Sequence, residues 1–359
     1  MTRARLRDLG ITVGHLPTGR YNAITDVPGI SVGYKTLVAE RPHVVRSGVT
    51  VILPRDDARW EDYAFAGIFS FNGYGEMTGS HWIEEAGLLT TPIAITNTHS
   101  VGIVRDAILR YAVESGYAAP FYLPVVAETD DSWLNAAHTF PVKPEHTVEA
   151  LKSAKSGPIA EGNVGGGTGM ICHHFKGGMG TSSRVVETRS GAFTVGALVQ
   201  TNYGVRQLLR VDGVPVGREI GADRVPLARV FPNEGSGSII VIVATDAPLL
   251  PDQCKRLARR ATVGLARVGG TGHDGSGDIF LAFATGNHVP AHPDGAVDLR
   301  MLPHDQMDPL FDGTAEAVEE AIVNALTAAG DTTGQEGRMA HALPLDELKA
   351  VMKKHGRSR

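Results

Sequence analysis

The chain has few cysteines and no long apolar segment, and both features limit what it can be. Only two of its 359 residues are cysteines, Cys172 and Cys254. Two cysteines cannot build a disulfide framework, which fits a reducing compartment. No run approaches the roughly 18 apolar residues of a membrane span, and the basic start has no apolar segment behind it. We therefore expect a cytoplasmic protein with no membrane partner.

The chain also lacks a strong charge of either sign and an evident metal motif. Its formal net charge is −5, which gives no electrostatic reason to expect a nucleic-acid partner. Zinc sites use histidines at short, regular spacings such as H-x-x-x-H. No such pair occurs among His81, His99, His173, His174 and His273. The sequence therefore predicts neither a metal nor another cofactor.

Glycine, in contrast, is abundant, with 43 residues. This abundance indicates many tight turns and many places where backbone approaches backbone or ligand. There is no internal repeat, and no linker is rich enough to force a domain boundary, so we expect one domain over residues 1–359. Strand-like segments come in adjacent runs with helical segments grouped between them. This order is typical of an α+β layered domain, with sheets packed together and helices outside.

Hydrophobic periodicity places the elements along the chain. It predicts strands from residue 30 and at 47–54, 92–97, 124–127, 182–187, 193–202, 238–246 and 279–285. It predicts helices at 81–87, 105–116, 145–156, 250–268, near 318–330 and at 345–355. Residues 272–278 are predicted to be a polar loop before the last strand, and residues 331–342 a mobile loop.

The junction at Ser238 carries the main chemical signal. A flexible segment, Phe231–Ser238, ends where a β-branched run begins. Gly237 puts little bulk around its carbonyl, so the Ser238 hydroxyl can attack that carbonyl, form an ester and leave water to release it. The new chain then begins at Ser238 with an amine of pKa roughly 7.7–8.0, a usable base near neutral pH. The alternative is a plain Gly/Ser loop before a buried strand.

Three other segments offer groups that can assist such a serine. Ser276 and Asp278, two residues apart at a strand entry, can orient the Ser238 hydroxyl or amine and relay protons; otherwise they are turn formers. Asn202 ends a strand and can donate its amide to an oxyanion, or it simply caps a turn. Glu128 ends another strand and can bind a substrate ammonium, or it is a solvated surface carboxylate.

Longer segments point to one known family. They are the residues 22–29 (NAITDVPG), 79–85 (GSHWIEE), 96–102 (TNTHSVG), 163–169 (NVGGGTG) and 238–248 (SIIVIVATDAP). Through them the chain resembles, nearly end to end, the L-aminopeptidase D-amidase/D-esterase (DmpA) family, which includes the β-peptidyl aminopeptidases. The resemblance implies an α-β-β-α sandwich like that of the N-terminal-nucleophile hydrolases, with different strand connectivity. It also implies a precursor that cleaves itself before a serine, and a homo-tetramer of processed protomers.

The resemblance also assigns roles by motif. It implies that Ser238 is the nucleophile, that Ser276 is a helper hydroxyl and that Asp278 stands where some members use Glu. Asn202 in the segment QTNYG matches the oxyanion donor, and Glu128 in VVAET matches the carboxylate that holds the free amine.

One departure from the family stands beside the amine-binding position. Asp130 falls where at least one member is expected to have Tyr, so no substrate preference is carried over. At position 278 the side chain is one methylene shorter than Glu.

We therefore predict a self-processing serine aminopeptidase that acts on small peptides, amides or esters with a free amine. Its predicted chains are 1–237 and 238–359. Two alternatives stay open at this point. The first is an acyltransferase related to ornithine acetyltransferase, and the second is an uncleaved binding or assembly module.

Overall fold

Two β-sheets dominate the computed structural model, which describes residues 3–55, 60–117, 121–228 and 237–357. The smaller sheet consists, in spatial order, of β1 (Ser31–Ala39), β2 (Val45–Leu53), β5 (Ile93–Thr96) and β6 (Val125–Glu128). The larger sheet has the order β4 (Leu88–Leu89), β3 (Asp62–Gly73), β12 (Ser276–Pro290), β11 (Gly237–Thr245), β10 (Gly191–Asn202) and β9 (Gly178–Thr188). Two short hairpins complete the described strands: β7 (Ile171–Cys172) with β8 (Phe175–Lys176), and β13 (Thr332–Thr333) with β14 (Met339–Ala340).

The helices lie between runs of these strands along the chain. They are α1 (Ser80–Ala86), α2 (Val101–Glu114), α3 (Pro144–Ser153), α4 (Val216–Glu219), α5 (Pro251–Val268), α6 (Asp308–Ala328) and α7 (Leu345–Lys354). No helix within the described ranges is both long and apolar enough to cross a membrane.

The facing surfaces of the two sheets share one apolar cluster. Residues from the smaller sheet pack there against residues from the larger one, among them Ile52, Ile93, Ile95, Leu198, Ile240, Ile242 and Leu281, all fully buried. Burying each such side chain contributes about 1.5–3 kcal/mol. Alternation along the strands directs every second residue into this cluster. The inner face of β11 is therefore set by Ile240, Ile242 and Ala244.

Helices cover the other faces of both sheets. The larger sheet packs Ile239, Val241 and Val243 into a cluster that also holds residues of α5 and α6. The smaller sheet packs residues such as Val49 and Val126 against α2 and α3.

Helix α5 shows how local sequence sets such an element. Leu257, Ala261, Leu265 and Val268 recur at helical spacing and are all fully buried. Glycine at position 269 ends the helix with φ 105°, a left-handed conformation that glycine adopts without strain.

Strand β11 pairs differently with its two neighbours. It is antiparallel to β10 and parallel to β12. A parallel pair needs a long crossover connection, which α5 provides between β11 and β12. The register places Asn202 opposite Ser238 on one side and Gly277 opposite Ser238 on the other. Three strand ends therefore meet at the same edge of the larger sheet.

Most of the predicted elements are present, with shifted ends. The strand predicted from residue 30 and that at 47–54 form the antiparallel pair β1–β2, and the strand at 238–246 is β11. Helix α2 begins at Val101 instead of 105, and α6 extends back to Asp308.

Two predicted loops were wrong. Residues 276–278 belong to β12, because each of them has a register partner in β11. The loop at 331–342 contains the β13–β14 hairpin, joined by backbone pairing that its polar sequence did not reveal. Strand β3 was missed altogether. The segment 229–236, which includes most of the predicted processing linker, lies outside the described residues.

Candidate active site

Ser238 is the second residue of β11 and is 6% exposed. Its hydroxyl donates a hydrogen bond of 2.5 Å to the Gly237 carbonyl oxygen and accepts one of 3.2 Å from the Gly277 amide. A Cβ at position 237 would collide with the Asn202 carbonyl oxygen. Glycine is therefore required at 237 by close approach of the neighbouring strand, and the hydroxyl lies directly beside the carbonyl before it.

Ser276 and Asp278 form a buried pair on β12. The Ser276 hydroxyl donates to Asp278 Oδ1 at 2.8 Å. Burial raises the pKa of Asp278 to about 6, although the Ser276 hydroxyl and the Ile239 amide both act to lower it. A carboxyl with such a pKa changes its protonation state close to neutral pH.

The side chains of Ser276 and Asp278 lie near the main chain of Ser238 and not on the side of its hydroxyl. Alternation along β12 turns Ser276 and Asp278 toward the helices, where Phe280 also packs. Ser238 instead faces the smaller sheet, as Ile240 does. Because Ser276 is the register partner of Gly237, the pair lies beside the Gly237–Ser238 peptide bond. Of the two predicted uses of this pair, the arrangement favours action on the Ser238 nitrogen over action on its hydroxyl.

Asn202 ends β10 directly opposite Ser238 and is 1% exposed. Its Oδ1 accepts a hydrogen bond of 2.9 Å from the Ile171 amide, and its Nδ2 donates to the Asp130 carbonyl oxygen at 2.9 Å. These two bonds fix which end of the amide is the donor. An amide NH₂ has two protons, and within the described residues only one of them has a partner. The other can donate to an oxygen held near Ser238.

Glu128 ends β6 and is 3% exposed, so it is not the solvated surface carboxylate of the alternative interpretation. Its oxygens accept hydrogen bonds from the Glu76 amide, at 3.0 Å, and from the Thr98 hydroxyl. Burial is the largest effect on the pKa of Glu128 and raises it; the charges of Asp130 and Glu76 raise it further. No cationic side chain in the described part of the chain forms an ion pair with it. A buried carboxylate that has no cationic partner is suited to bind a cation from a ligand.

Gly75 connects Glu128 with the Ser238 region. A Cβ at position 75 would lie 3.3 Å from Glu128 Oε1 and 3.1 Å from the Gly277 Cα. Gly277 also donates its amide to the Ser238 hydroxyl, so the space for a side chain at Gly75 is narrow and is bounded by the Glu128 carboxylate and by the residue that binds Ser238.

Asp130, the departure from the family pattern, contacts this site through its carbonyl oxygen and through its charge, which raises the pKa of Glu128. Its carbonyl holds the Asn202 amide, while its carboxylate accepts hydrogen bonds from the Ser132 amide and hydroxyl at 2.9 and 2.8 Å.

Sequence reasoning missed several of these groups. Thr98, Gly75 and Ile171 were not singled out, and the Gly277 amide was passed over between its two polar neighbours. For Thr98 and Ile171 a signal existed: each lies inside or just after one of the long segments that carry the family resemblance.

Comparison with known proteins gives a consistent result. The model of peptidase family S58 matches residues 22–340. Beta-peptidyl aminopeptidase BapA of Sphingosinicella microcystinivorans is 47% identical, over 98% of this chain and 93% of that protein. A β-aminopeptidase structure from a Burkholderia species superposes with a TM-score of 0.92 at 52% identity, over 98% of this chain and 99% of that one.

A third relative is informative about the fold. The structure of the L-aminopeptidase D-Ala-esterase/amidase of Ochrobactrum anthropi has a TM-score of 0.91 at 43% identity, over 99% of both chains. That protein is described as a prototype for the serine aminopeptidases and as a new variant of the N-terminal-nucleophile hydrolase fold. The mixed α+β architecture described above agrees with this relationship.

Proposed function

The chain belongs to peptidase family S58, and from this premise we propose that it is a self-processing serine aminopeptidase. It removes the N-terminal residue from short peptides, amides or esters that carry a free amine. The relatives support this class of reaction, since they are named β-peptidyl aminopeptidase, β-aminopeptidase and L-aminopeptidase. They favour it over the acyltransferase and the uncleaved binding module.

The observation that carries the proposal is the contact between the Ser238 hydroxyl and the Gly237 carbonyl oxygen, at 2.5 Å. In the precursor, Oγ attacks the carbonyl carbon, the C–N bond breaks, and the hydroxyl proton passes to the departing nitrogen. Water then hydrolyses the ester, leaving a carboxylate at Gly237 and a free hydroxyl at Ser238. The products are chains 1–237 and 238–359 within one domain.

In the mature enzyme, the new amine of Ser238 serves as the base for its own hydroxyl. Ser276 and Asp278 hold and polarise that amine, since they lie beside the backbone on which it forms. Asn202 donates its second Nδ2 proton to the tetrahedral oxyanion. Glu128 binds the ammonium of the substrate, which restricts cleavage to the first residue.

Three further assignments rest on the same premise. The layers follow the order α-β-β-α, with connectivity different from other N-terminal-nucleophile hydrolases; the three apolar clusters support this order. Processed protomers assemble into a homo-tetramer, as the family resemblance implies, and light scattering of the purified protein tests this. The cytoplasmic location is supported by Cys172 and Cys254, both free and buried.

The class of reaction can be tested with an aminoacyl anilide, in the presence and absence of an acceptor amine. The aminopeptidase proposal predicts release of the free amino acid at a rate that the acceptor leaves nearly unchanged. Transfer of the aminoacyl group to the acceptor as the main product would instead support the acyltransferase. A single uncut chain with no turnover would support the binding module.

A further inference from the structure

Lys176 is a completely buried lysine. It is 0% exposed and lies in β8. Its ammonium donates to the carbonyl oxygens of Gly177, at 2.7 Å, and Gly167, at 3.2 Å. No carboxylate forms an ion pair with it in the described part of the chain, and burial lowers its pKa to about 7. Burying a cation without a carboxylate partner costs free energy. The role of the hydrogen bonds that the Lys176 ammonium makes therefore needs an explanation.

One of its two acceptors, Gly167, belongs to a glycine-rich segment, and the other, Gly177, is the residue that follows Lys176. The 3₁₀ turn Gly165–Gly169 is entirely buried and has a single non-glycine side chain, Thr168. Glycines lose much conformational freedom when ordered and offer no side chain to pack. This segment is therefore held mainly through its backbone polar groups. Lys176 is a charged donor to one of its carbonyls.

The segment leads directly to the residue that orients Asn202. The Met170 amide donates to the Gly167 carbonyl at 3.3 Å, and the Gly177 amide donates to the Met170 carbonyl at 2.9 Å. Ile171 comes next, and its amide donates to Asn202 Oδ1 at 2.9 Å. Ile171 is also the register partner of Lys176 in the β7–β8 hairpin. Lys176 therefore lies opposite Ile171 in the hairpin and binds the segment that precedes Ile171 through the Gly167 carbonyl.

We propose that Lys176 is a positioning residue for Asn202: it fixes the glycine-rich segment so that the Ile171 amide keeps the donor end of Asn202 aimed toward Ser238. Lys176 contacts neither Ser238 nor Glu128, so its removal should affect stabilisation of the oxyanion and leave binding of the substrate ammonium unchanged. The inference rests on the proposed role of Asn202 as oxyanion donor.

The test compares Lys176→Met, Asn202→Ala and the double variant, with Lys35→Met as a matched control. Lys35 is a lysine of β1 whose ammonium pairs with Glu149 of α3, on the side of the strand opposite to Thr36, which binds the Gly165 amide. Each protein is assayed for kcat and KM on an aminoacyl anilide and for the rate of self-cleavage of freshly made precursor. Thermal melting confirms folding. If Lys176→Met does not fold, Lys176→Gln, which keeps an N–H donor, takes its place.

We expect Lys176→Met to lower kcat by about tenfold, a part of the roughly 10²–10³-fold effect of an oxyanion donor, with KM changed less than twofold. Self-cleavage should slow in proportion, and Lys35→Met should behave as wild type. In the double variant, kcat should be close to that of Asn202→Ala alone, because the two residues act on one step.

Normal kcat in the Lys176 variant, or losses that multiply fully in the double variant, would overturn the inference while leaving Asn202 in its role. A change confined to KM would overturn it as well. Normal turnover in Asn202→Ala would instead overturn the role of Asn202, and with it the premise of the inference.

Discussion

Ser238 and Asn202 are register partners on neighbouring antiparallel strands, and both side chains belong to the face that meets the smaller sheet. A hydroxyl and an amide donor thus share one edge of the sheet. Strand pairing fixes their separation to about 4.5–5.5 Å between side-chain stems. In the proposed mechanism, this spacing brings the carbonyl oxygen of an acyl group on Ser238 within reach of the Asn202 amide.

The first prediction concerns that amide. Asn202→Ala should lower kcat by about 10²–10³-fold, because an oxyanion donor acts only on the tetrahedral state. Self-cleavage of the precursor should slow too, since it passes through the same kind of anion. Asn287→Ala serves as the control: Asn287 is a buried asparagine of β12 that binds backbone carbonyls away from Ser238. An Asn202 variant that folds and turns over normally would remove this residue from the site.

The second prediction concerns the free amine of the substrate. A charge-assisted contact with Glu128 contributes roughly 1.5–3 kcal/mol, which is roughly ten- to a hundredfold in rate or affinity. N-acetylated peptides should be cleaved at least that much more slowly than free-amine peptides, and Glu128→Gln should shrink the difference.

The matched control for this prediction is Glu76→Gln. Glu76 binds Glu128 through its backbone amide, and its side-chain charge is the smallest of the effects on the Glu128 pKa, so Glu76→Gln should change the preference for free amines much less than Glu128→Gln does. Equal rates on blocked and unblocked substrates in the wild-type enzyme would contradict the role of Glu128.

The third prediction concerns the narrow space at Gly75. The added methyl of Gly75→Ala lies 3.3 Å from Glu128 Oε1 and 3.1 Å from the Gly277 Cα. To relieve these contacts the Glu128 carboxylate has to shift by a few tenths of an ångström, so KM for substrates with a free amine should rise. Gly102→Ala is the control, because a Cβ at Gly102 meets nothing within 4 Å. Unchanged KM for Gly75→Ala would place the substrate elsewhere.

The fourth prediction uses the pKa of Asp278, which burial raises from 3.8 to about 6. Because the folded state holds this proton more tightly than the unfolded state, ionising Asp278 costs stability as the pH rises from about 4 to about 6. Asp278→Asn, which keeps an acceptor for Ser276, removes that cost. Its stability relative to its parent should therefore increase over this interval, by on the order of 2–3 kcal/mol.

The measurement is urea unfolding at several pH values, made in a Ser238→Ala background so that every protein stays a single chain. Asp106→Asn, at an exposed position of α2, controls for the loss of a carboxylate. A relative stability of Asp278→Asn that does not change with pH would show that Asp278 is not held as described.

The sequence predicts an element of this fold well where the pattern that specifies the element lies within the element itself. The β-branched run after Ser238 and the apolar spacing in α5 are local, so β11 and α5 were predicted nearly to their ends. The start of β12 at Ser276 was not predicted. Its sequence is polar, and it forms a strand through pairing with Gly237.

The residues of the candidate site also fall into two groups, those with a local sequence signal and those without one. Candidate residues that stand at strand ends, such as Glu128 and Asn202, were singled out from the sequence and its family resemblance. Their partners were not: Thr98 and Ile171 reach them from segments about 30 residues away in the chain. Which backbone amide meets which side chain depends on how loops cross the sheet edge, and periodicity carries no information on that.

The central claim is that the chain cuts itself immediately before Ser238, and the most direct test is intact mass measurement with N-terminal sequencing of the purified protein. The account predicts two chains, 1–237 and 238–359, with serine as the first residue of the smaller one. It also predicts a single inactive chain for Ser238→Ala. A cut that begins the smaller chain at Ser236, or a fully active uncut chain, would contradict it.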